Sequence, residues 1–320
     1  QGLKVAYGGT DTHIVLLNVS AIQSPTGFPL RGEIAARLLD LAGIVVNKNT
    51  IPGDTRTALA SGVRFGTPWV SQRGLAPQDM EAIAVIVKEL LTDIRPFAYQ
   101  GLSGELPRGK LRLDTLVEAR RRVLSLSEKA GFDQELPAGD SPDFFTGRIQ
   151  GEDTPVVLEI YGYRARQFLQ EVCTRNLAKL AARLPQEACL LSKDGTLLAK
   201  TSIAFEETDS LGRDHFLLRL ASPDAAYVEA WLRGLSDGYL VFDEADVFRK
   251  VQGPVIIQRL QSLPPEIERR FPAEKSAQPA RGTPARELFE KHPQLFDLDK
   301  PYFIGQHALV ETAHAAFAKS

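Results

Sequence analysis

The sequence predicts a two-part α+β protein, and three observations carry that prediction. Its 320 residues suffice for two domains that each bury a core. A stretch dominated by glycine, proline and acidic residues, 131–154 (GFDQELPAGDSPDFFTGRIQGEDT), interrupts the chain. Beyond it the elements read strand, helix, three strands, helix, strand, helix, the order of an α+β domain with a largely antiparallel sheet. The expected organisation is a first domain over 1–130, a linker over 131–154 and a second domain over 155–263. A proline-rich linker (264–287) and a C-terminal element (288–320) complete it.

In the first domain, residues 13–19 (HIVLLNV) form a buried strand candidate. Gly32–Leu41 reads as a helix with Ile34, Leu38 and Leu41 on one face and Gly43 as its stop. Ile44, Val45 and Val46 read as a short buried strand ending in Asn47-Lys48-Asn49, and Pro52-Gly53-Asp54 as a turn. A helix begins at Pro77 and carries Met80, Ile83, Ala84, Val87, Leu90 and Leu91 at spacings of three and four, until Pro96. A third covers 114–129, with Thr115 and Glu118 at capping-box spacing, Leu116, Val123 and Ala130 inward, and Gly131 as its end. Arg120-Arg121-Arg122 reads as its solvated face.

In the second domain, residues 156–161 form a strand and Gly162 opens a helix with Ala165, Phe168, Leu169 and Val172 inward. Strands at 188–192 and 196–205 flank Asp194-Gly195, a hairpin signal. A turn at 211–214, a strand over 215–220 and a helix after Pro223 anchored by Trp231 follow. A short strand at 239–242 and a helix over 254–260 close the unit. Leu288, Phe289, Leu295 and Phe296 then resume apolar character.

Composition bounds the function. The chain is 43% apolar and 24% charged, as ordinary globular proteins are, and its net charge of -2 gives no general pull towards nucleic acid or an anionic membrane. No apolar run approaches the roughly 18 residues of a membrane helix, so a cytoplasmic protein without nucleic-acid or membrane partners is expected. Cys173 and Cys189 have no CxxC or metal spacing and read as reduced, buried thiols. His292, His307 and His314 lack the spacing and carboxylate partners of a metal site.

The most informative stretch is 43–74. Arg64 lies between glycines in Ser61-Gly62-Val63-Arg64-Phe65-Gly66-Thr67-Pro68. Its rigid, always-charged fork suits two-point binding of a carboxylate or phosphate, or else a structural ion pair. With Gly8-Gly9-Thr10-Asp11-Thr12-His13 and Val46-Asn47-Lys48-Asn49-Thr50-Ile51-Pro52-Gly53-Asp54, this block resembles the C-terminal domain of serine hydroxymethyltransferase. The resemblance implies a small α/β domain of a fold-type I pyridoxal-phosphate enzyme. It implies that Arg64 grips the amino-acid carboxylate and Asn49 binds the pteridine of folate; Lys48 and Arg73, inside the same blocks, complete the candidate list. It also implies pyridoxal phosphate and tetrahydrofolate as cofactors, serine and glycine as ligands, and a homo-oligomer in the intact protein. Trp69 stands where that family has a small residue.

The second domain resembles the folate-binding domain of the glycine-cleavage T protein, an aminomethyltransferase. The likeness rests on Gly162 with Phe168-Leu169, Leu190-Leu191 with Gly195, and Gly253-Pro254 with Leu260. The run Lys300-Pro301-Tyr302-Phe303-Ile304-Gly305-Gln306-His307-Ala308-Leu309 resembles an element of the same family's second half. Where that family places paired aspartates, this chain has Ala199 and Lys200, the wrong charge for balancing a developing cation.

The expected function is therefore the C-terminal part of a glycine/serine hydroxymethyltransferase fused to a degenerate aminomethyltransferase-like module. The block carrying the family's Schiff-base lysine does not occur here, so pyridoxal phosphate is expected on a domain outside these residues, leaving this part inert alone. A non-catalytic folate-binding or scaffolding protein is the alternative. Active aminomethyltransferase is a third reading, opposed by Ala199 and Lys200.

Overall fold

The structure, a computed structural model, describes residues 2–102, 104–130, 155–221, 225–260, 264–271, 279–297 and 299–300. The expected linker at 131–154, the helix stop at Gly131, the run after Lys300, and His307 and His314 lie outside them. The chain divides into two compact units, Gln1–Phe144 with Tyr239–Phe248, and Phe145–Gly238 with Arg249–Ser320.

The first unit is built on a four-stranded antiparallel sheet, β1 (Lys4–Val5), β2 (Ile14–Asn18), β3 (Asn47–Asn49) and β4 (Gly62–Gly66), in the order β1-β2-β4-β3. Helix α1 (Gly32–Leu41) packs on one face, where Val63 is fully buried. Its innermost residues are Ala35, Leu38 and Leu39, whereas the expected Ile34 and Leu41 are only half-buried. Close approach sets that packing: a Cβ on Gly32 would stand 2.3 Å from the Gly62 carbonyl oxygen. Gly43, at φ +86°, turns the chain out of the helix.

The strand expected at residues 44–46 does not form. Val45 is 83% exposed, and pairing with β4 begins only at Asn47. The polar trio 47–49 is thus itself the strand, because β4 supplies its hydrogen-bond partners and propensity is overridden.

Helices α2 (Pro68–Gln72), α3 (Pro77–Asp93) and α4 (Leu113–Lys129) follow, with Ile86, Leu90, Leu91 and Leu116 buried. The capping box expected at Thr115 and Glu118 is absent, since α4 starts earlier and Glu118 pairs with Arg121. Asp93 accepts from the Arg112 N–H instead, at 2.8 Å. The triple arginine is not uniformly solvated. Arg120 is only 4% exposed and donates to the Leu41 carbonyl at 3.1 Å, while Arg121 and Arg122 pair with Glu118 and Glu89.

Between α3 and α4 lies a hairpin the sequence reading left blank, β5 (Arg95–Gly101) and β6 (Gly104–Lys110). The segment Tyr239–Phe248 belongs to this unit. Leu111 N–H donates to the Tyr239 carbonyl and Val241 N–H to the Leu111 carbonyl, both at 3.0 Å. Phe248 packs edge-on against Phe97 and Tyr99. The short strand expected over 239–242 is reduced to a single bridge, Leu240 beside Leu111.

The second unit is a five-stranded antiparallel sheet. Its strands are β7 (Val156–Gly162), β8 (Gln186–Leu191), β9 (Leu197–Thr208), β10 (Asp214–Leu220) and β11 (Ile256–Arg259), in the order β11-β7-β10-β9-β8. Helices α5 (Ala165–Val172) and α6 (Ala225–Asp237) contribute Phe168, Leu169, Val172, Val228, Trp231 and Leu232 to its core. The helix expected over 254–260 contains strand β11 instead, which opens on the β-branched Ile256-Ile257 and pairs with β7.

The proline-rich stretch 264–287 is packed where it is described. It forms α7 (Pro265–Glu268), buries Phe271 against Val157, Ala204 and Leu217, and enters α8 (Ala285–Lys291). Ala285 joins Leu288, Phe289, Leu295 and Phe296 in a cluster with Cys189, Leu191 and Leu197. Both cysteines are buried and free, and burial pushes the Cys189 thiol up to about 12. Lys300 is buried; its ammonium donates to the Gln170 carbonyl at 2.7 Å and to that of Cys173, at the end of α5. Burial pushes this amine down to about 8.

Candidate functional site

Strand register places the candidate residues. In an antiparallel sheet, directly opposite residues project from the same face, and alternate residues along one strand do too. Arg64 lies between Leu16 of β2 and Asn47 of β3; Gly62, two residues before it, lies between Asn18 and Asn49. Asn18 in turn faces Lys4. Lys4, Leu16, Asn18, Asn47, Asn49 and Arg64 therefore share the face away from α1. It presents two cations and three amides, and no residue of these four strands brings a carboxylate to it.

The structure thus brings Arg64 and Asn49 together on one face. Arg64 is exposed; its Nη2 donates to Asn47 Oδ1 at 3.4 Å, and among the described residues it has no acidic partner. Asn49 is half-buried, and its Nδ2 donates to the Thr50 carbonyl at 3.4 Å.

The other two candidates stand apart. Lys48 points to the α1 face, with Nζ 3.0 Å from Glu33 Oε2. Lys48 and Arg37 beside it hold the Glu33 carboxyl below its usual value. Arg73, just after α2, donates from Nη2 to the Ser127 hydroxyl at 3.3 Å and so ties α2 to α4. The Trp69 side chain is exposed.

Two local devices set the geometry. Asp54 Oδ2 accepts from the Ile51 and Ser61 N–H groups, both at 2.9 Å, closing the turn after β3 onto the start of β4. Burial would raise this carboxyl, but the two amides outweigh it and hold it below the ordinary aspartate value. Gly62 allows the strands to meet: a Cβ there would lie 2.5 Å from the Asn49 carbonyl oxygen and 2.6 Å from Ile51 Cγ2. At the sheet's end, Thr67 N–H donates to the His13 carbonyl at 3.1 Å, so the first and third sequence blocks also adjoin.

An exposed guanidinium among amides, with no acidic partner among the described residues, can hold an anion. The same face does not fit pyridoxal phosphate. The only lysine the four strands bring to it, Lys4, is exposed on an edge strand, and they bring no carboxylate for a pyridine nitrogen. No coenzyme step is assigned to these residues.

A polar cluster in the second unit escaped the sequence reading. His215 stacks on Tyr161 at 4.8 Å between ring centroids, with Nδ1 2.9 Å from Glu159 Oε1 and Nε2 3.4 Å from Asp209 Oδ2. Its partners lie six and 56 residues away and meet only through strand pairing and the turn at Asp209. Lys200 is neutralised by Glu187 at 2.5 Å, and Ala199 is buried. No group of His, Cys, Asp and Glu able to hold a metal occurs among the described residues, and none of their helices is long and apolar enough to cross a membrane.

The fold and this face define a mixed α+β protein with antiparallel sheets, whose first sheet presents two cations and three amides, and no carboxylate, from its own strands. Residues 1–87 match the sequence model of the family described as serine hydroxymethyltransferase. That match spans the whole four-stranded sheet and supports a function related to that family's transferase chemistry in one-carbon metabolism.

Proposed function

We propose that residues 1–130 are the C-terminal domain of a glycine/serine hydroxymethyltransferase. Arg64 binds the carboxylate of serine or glycine, and Asn49 binds the pteridine of tetrahydrofolate. The observation that supports this best is Arg64 itself, exposed, lacking an acidic partner among the described residues and sharing a sheet face with Asn49. A guanidinium without an acidic partner is available for a ligand's carboxylate. An amide offers the donor and acceptor that a pteridine edge presents in turn.

Pyridoxal phosphate, which supplies the electron sink of this chemistry, and its lysine then reside on another part of the protein. Serine, glycine and tetrahydrofolate are the ligands, and the intact protein is a cytoplasmic homo-oligomer. The second unit is a degenerate relative of the T protein that does not transfer aminomethyl groups. Supporting this, Lys200 is held by Glu187 where a carboxylate would be needed.

The test is calorimetric titration of glycine into the full-length gene product. Arg64→Ala is expected to weaken glycine roughly a hundredfold, as loss of a charge-assisted two-point contact does, without shifting the unfolding temperature. Unchanged glycine affinity in this variant would refute the assignment.

A further inference from the structure

Resting on that reading of Arg64, we infer that Asn47 is the positioning residue of the carboxylate site, and that its being an amide rather than an acid keeps the site open. Asn47 lies directly opposite Arg64 in the β3–β4 register, and its Oδ1 accepts from Arg64 Nη2 at 3.4 Å. Both side chains are exposed on the face to which the four strands bring no carboxylate. One oxygen of a neutral amide steers the guanidinium without cancelling its charge, and it engages Nη2 alone. The contact with Asn47 uses one donor of the fork, and the others can serve a ligand carboxylate.

The neighbouring position shows the alternative outcome. Lys48, one residue along the same strand, points to the opposite face and is neutralised by Glu33 at 3.0 Å. A carboxylate at position 47 would do the same to Arg64. The two groups face each other across adjacent strands, so a two-point ion pair would form and compete with any ligand carboxylate. With no side chain at 47, the long arginine stem would be free to swing, and each binding event would have to order it.

The proposal makes position 47 a determinant of carboxylate affinity that acts only through Arg64. Asn49, two residues on and in contact with Thr50 rather than Arg64, should be indifferent to it.

The experiment titrates glycine and, separately, tetrahydrofolate into the full-length protein and its Asn47→Ala, Asn47→Asp and Arg64→Ala variants. Thermal unfolding and the ¹⁵N resonance of the Arg64 Nε–H are recorded for each. Asn47→Asp should weaken glycine at least roughly tenfold and Asn47→Ala roughly two- to fivefold. Both should shift the Arg64 resonance while leaving tetrahydrofolate affinity and unfolding temperature in place. If Arg64→Ala weakens glycine but Asn47→Asp binds it normally, the positioning role is wrong although the carboxylate assignment stands. If Arg64→Ala binds glycine normally, the assignment beneath it fails instead. Equal loss of both ligands with a lowered unfolding temperature in Asn47→Asp would make position 47 merely structural and overturn the inference.

Discussion

On the proposed role of Arg64, it and Asp54 divide the labour of the first sheet between binding and shape. Arg64 carries a charge with no acidic partner among the described residues, whereas Asp54 spends its charge on the backbone N–H groups of Ile51 and Ser61. Asp54→Ala should cost about 1–3 kcal/mol, since two part-buried donors lose their acceptor. The folded-state value of this carboxyl is depressed, so below about pH 4 the unfolded chain takes up the proton first. The stabilisation is therefore complete above that pH and fades as pH falls through the lower folded value. Urea denaturation of the parent protein and the variant should converge in acid; a gap unchanged from pH 7 to pH 3 would contradict the assignment. The motif made Arg64, Asn49 and Asp54 conspicuous in the sequence, but not the contact between Arg64 and Asn47. Those two are 17 residues apart and become neighbours only through strand register.

At the level of elements, β3 and β4 meet because position 62 has no side chain. Gly62→Ala would set a methyl 2.5 Å from the Asn49 carbonyl oxygen, so the strands must part. A loss of roughly 1–3 kcal/mol is expected, together, on the proposed role of Asn49, with weaker tetrahydrofolate binding as that residue shifts. Full stability in this variant would show that β3 yields without cost. Strongly periodic elements were legible: α1 runs over its expected residues, and α5 turns Ala165, Phe168, Leu169 and Val172 inward. Misread elements share a cause, because their structure depends on partners remote in sequence. Pro254 looks like a helix start, yet the strand after it is drawn into register by β7. The β5–β6 hairpin, rich in proline and glycine, has no clean alternation and so gave no strand signal. Asn47-Lys48-Asn49 is polar throughout and becomes a strand only because β4 pairs with it.

On the scale of the whole molecule, the first unit is completed by residues 239–248, which return to it after most of the second unit's sheet has been laid down in sequence. A fragment ending at residue 144 should therefore lose amide-exchange protection at Leu111 and unfold at a lower temperature than the same unit in the intact chain. Grafting 239–248 onto that fragment through a flexible linker should restore both. Equal stability of the short fragment would show the returning segment to be dispensable. The sequence offered no hint of this return, since Tyr239–Phe248 carries only a brief apolar run and its partners lie more than a hundred positions upstream.

That returning segment also constrains how the protein can be made. On the ribosome, the first unit's sheet and helices emerge well ahead of the strip that covers Leu111 and Phe97, which is synthesised more than a hundred codons later. At about 5–20 residues per second, that is a wait of roughly 5–25 s with apolar surface uncovered. A nascent chain in this condition is a natural client for a chaperone, and slow translation through the intervening codons would prolong its exposure.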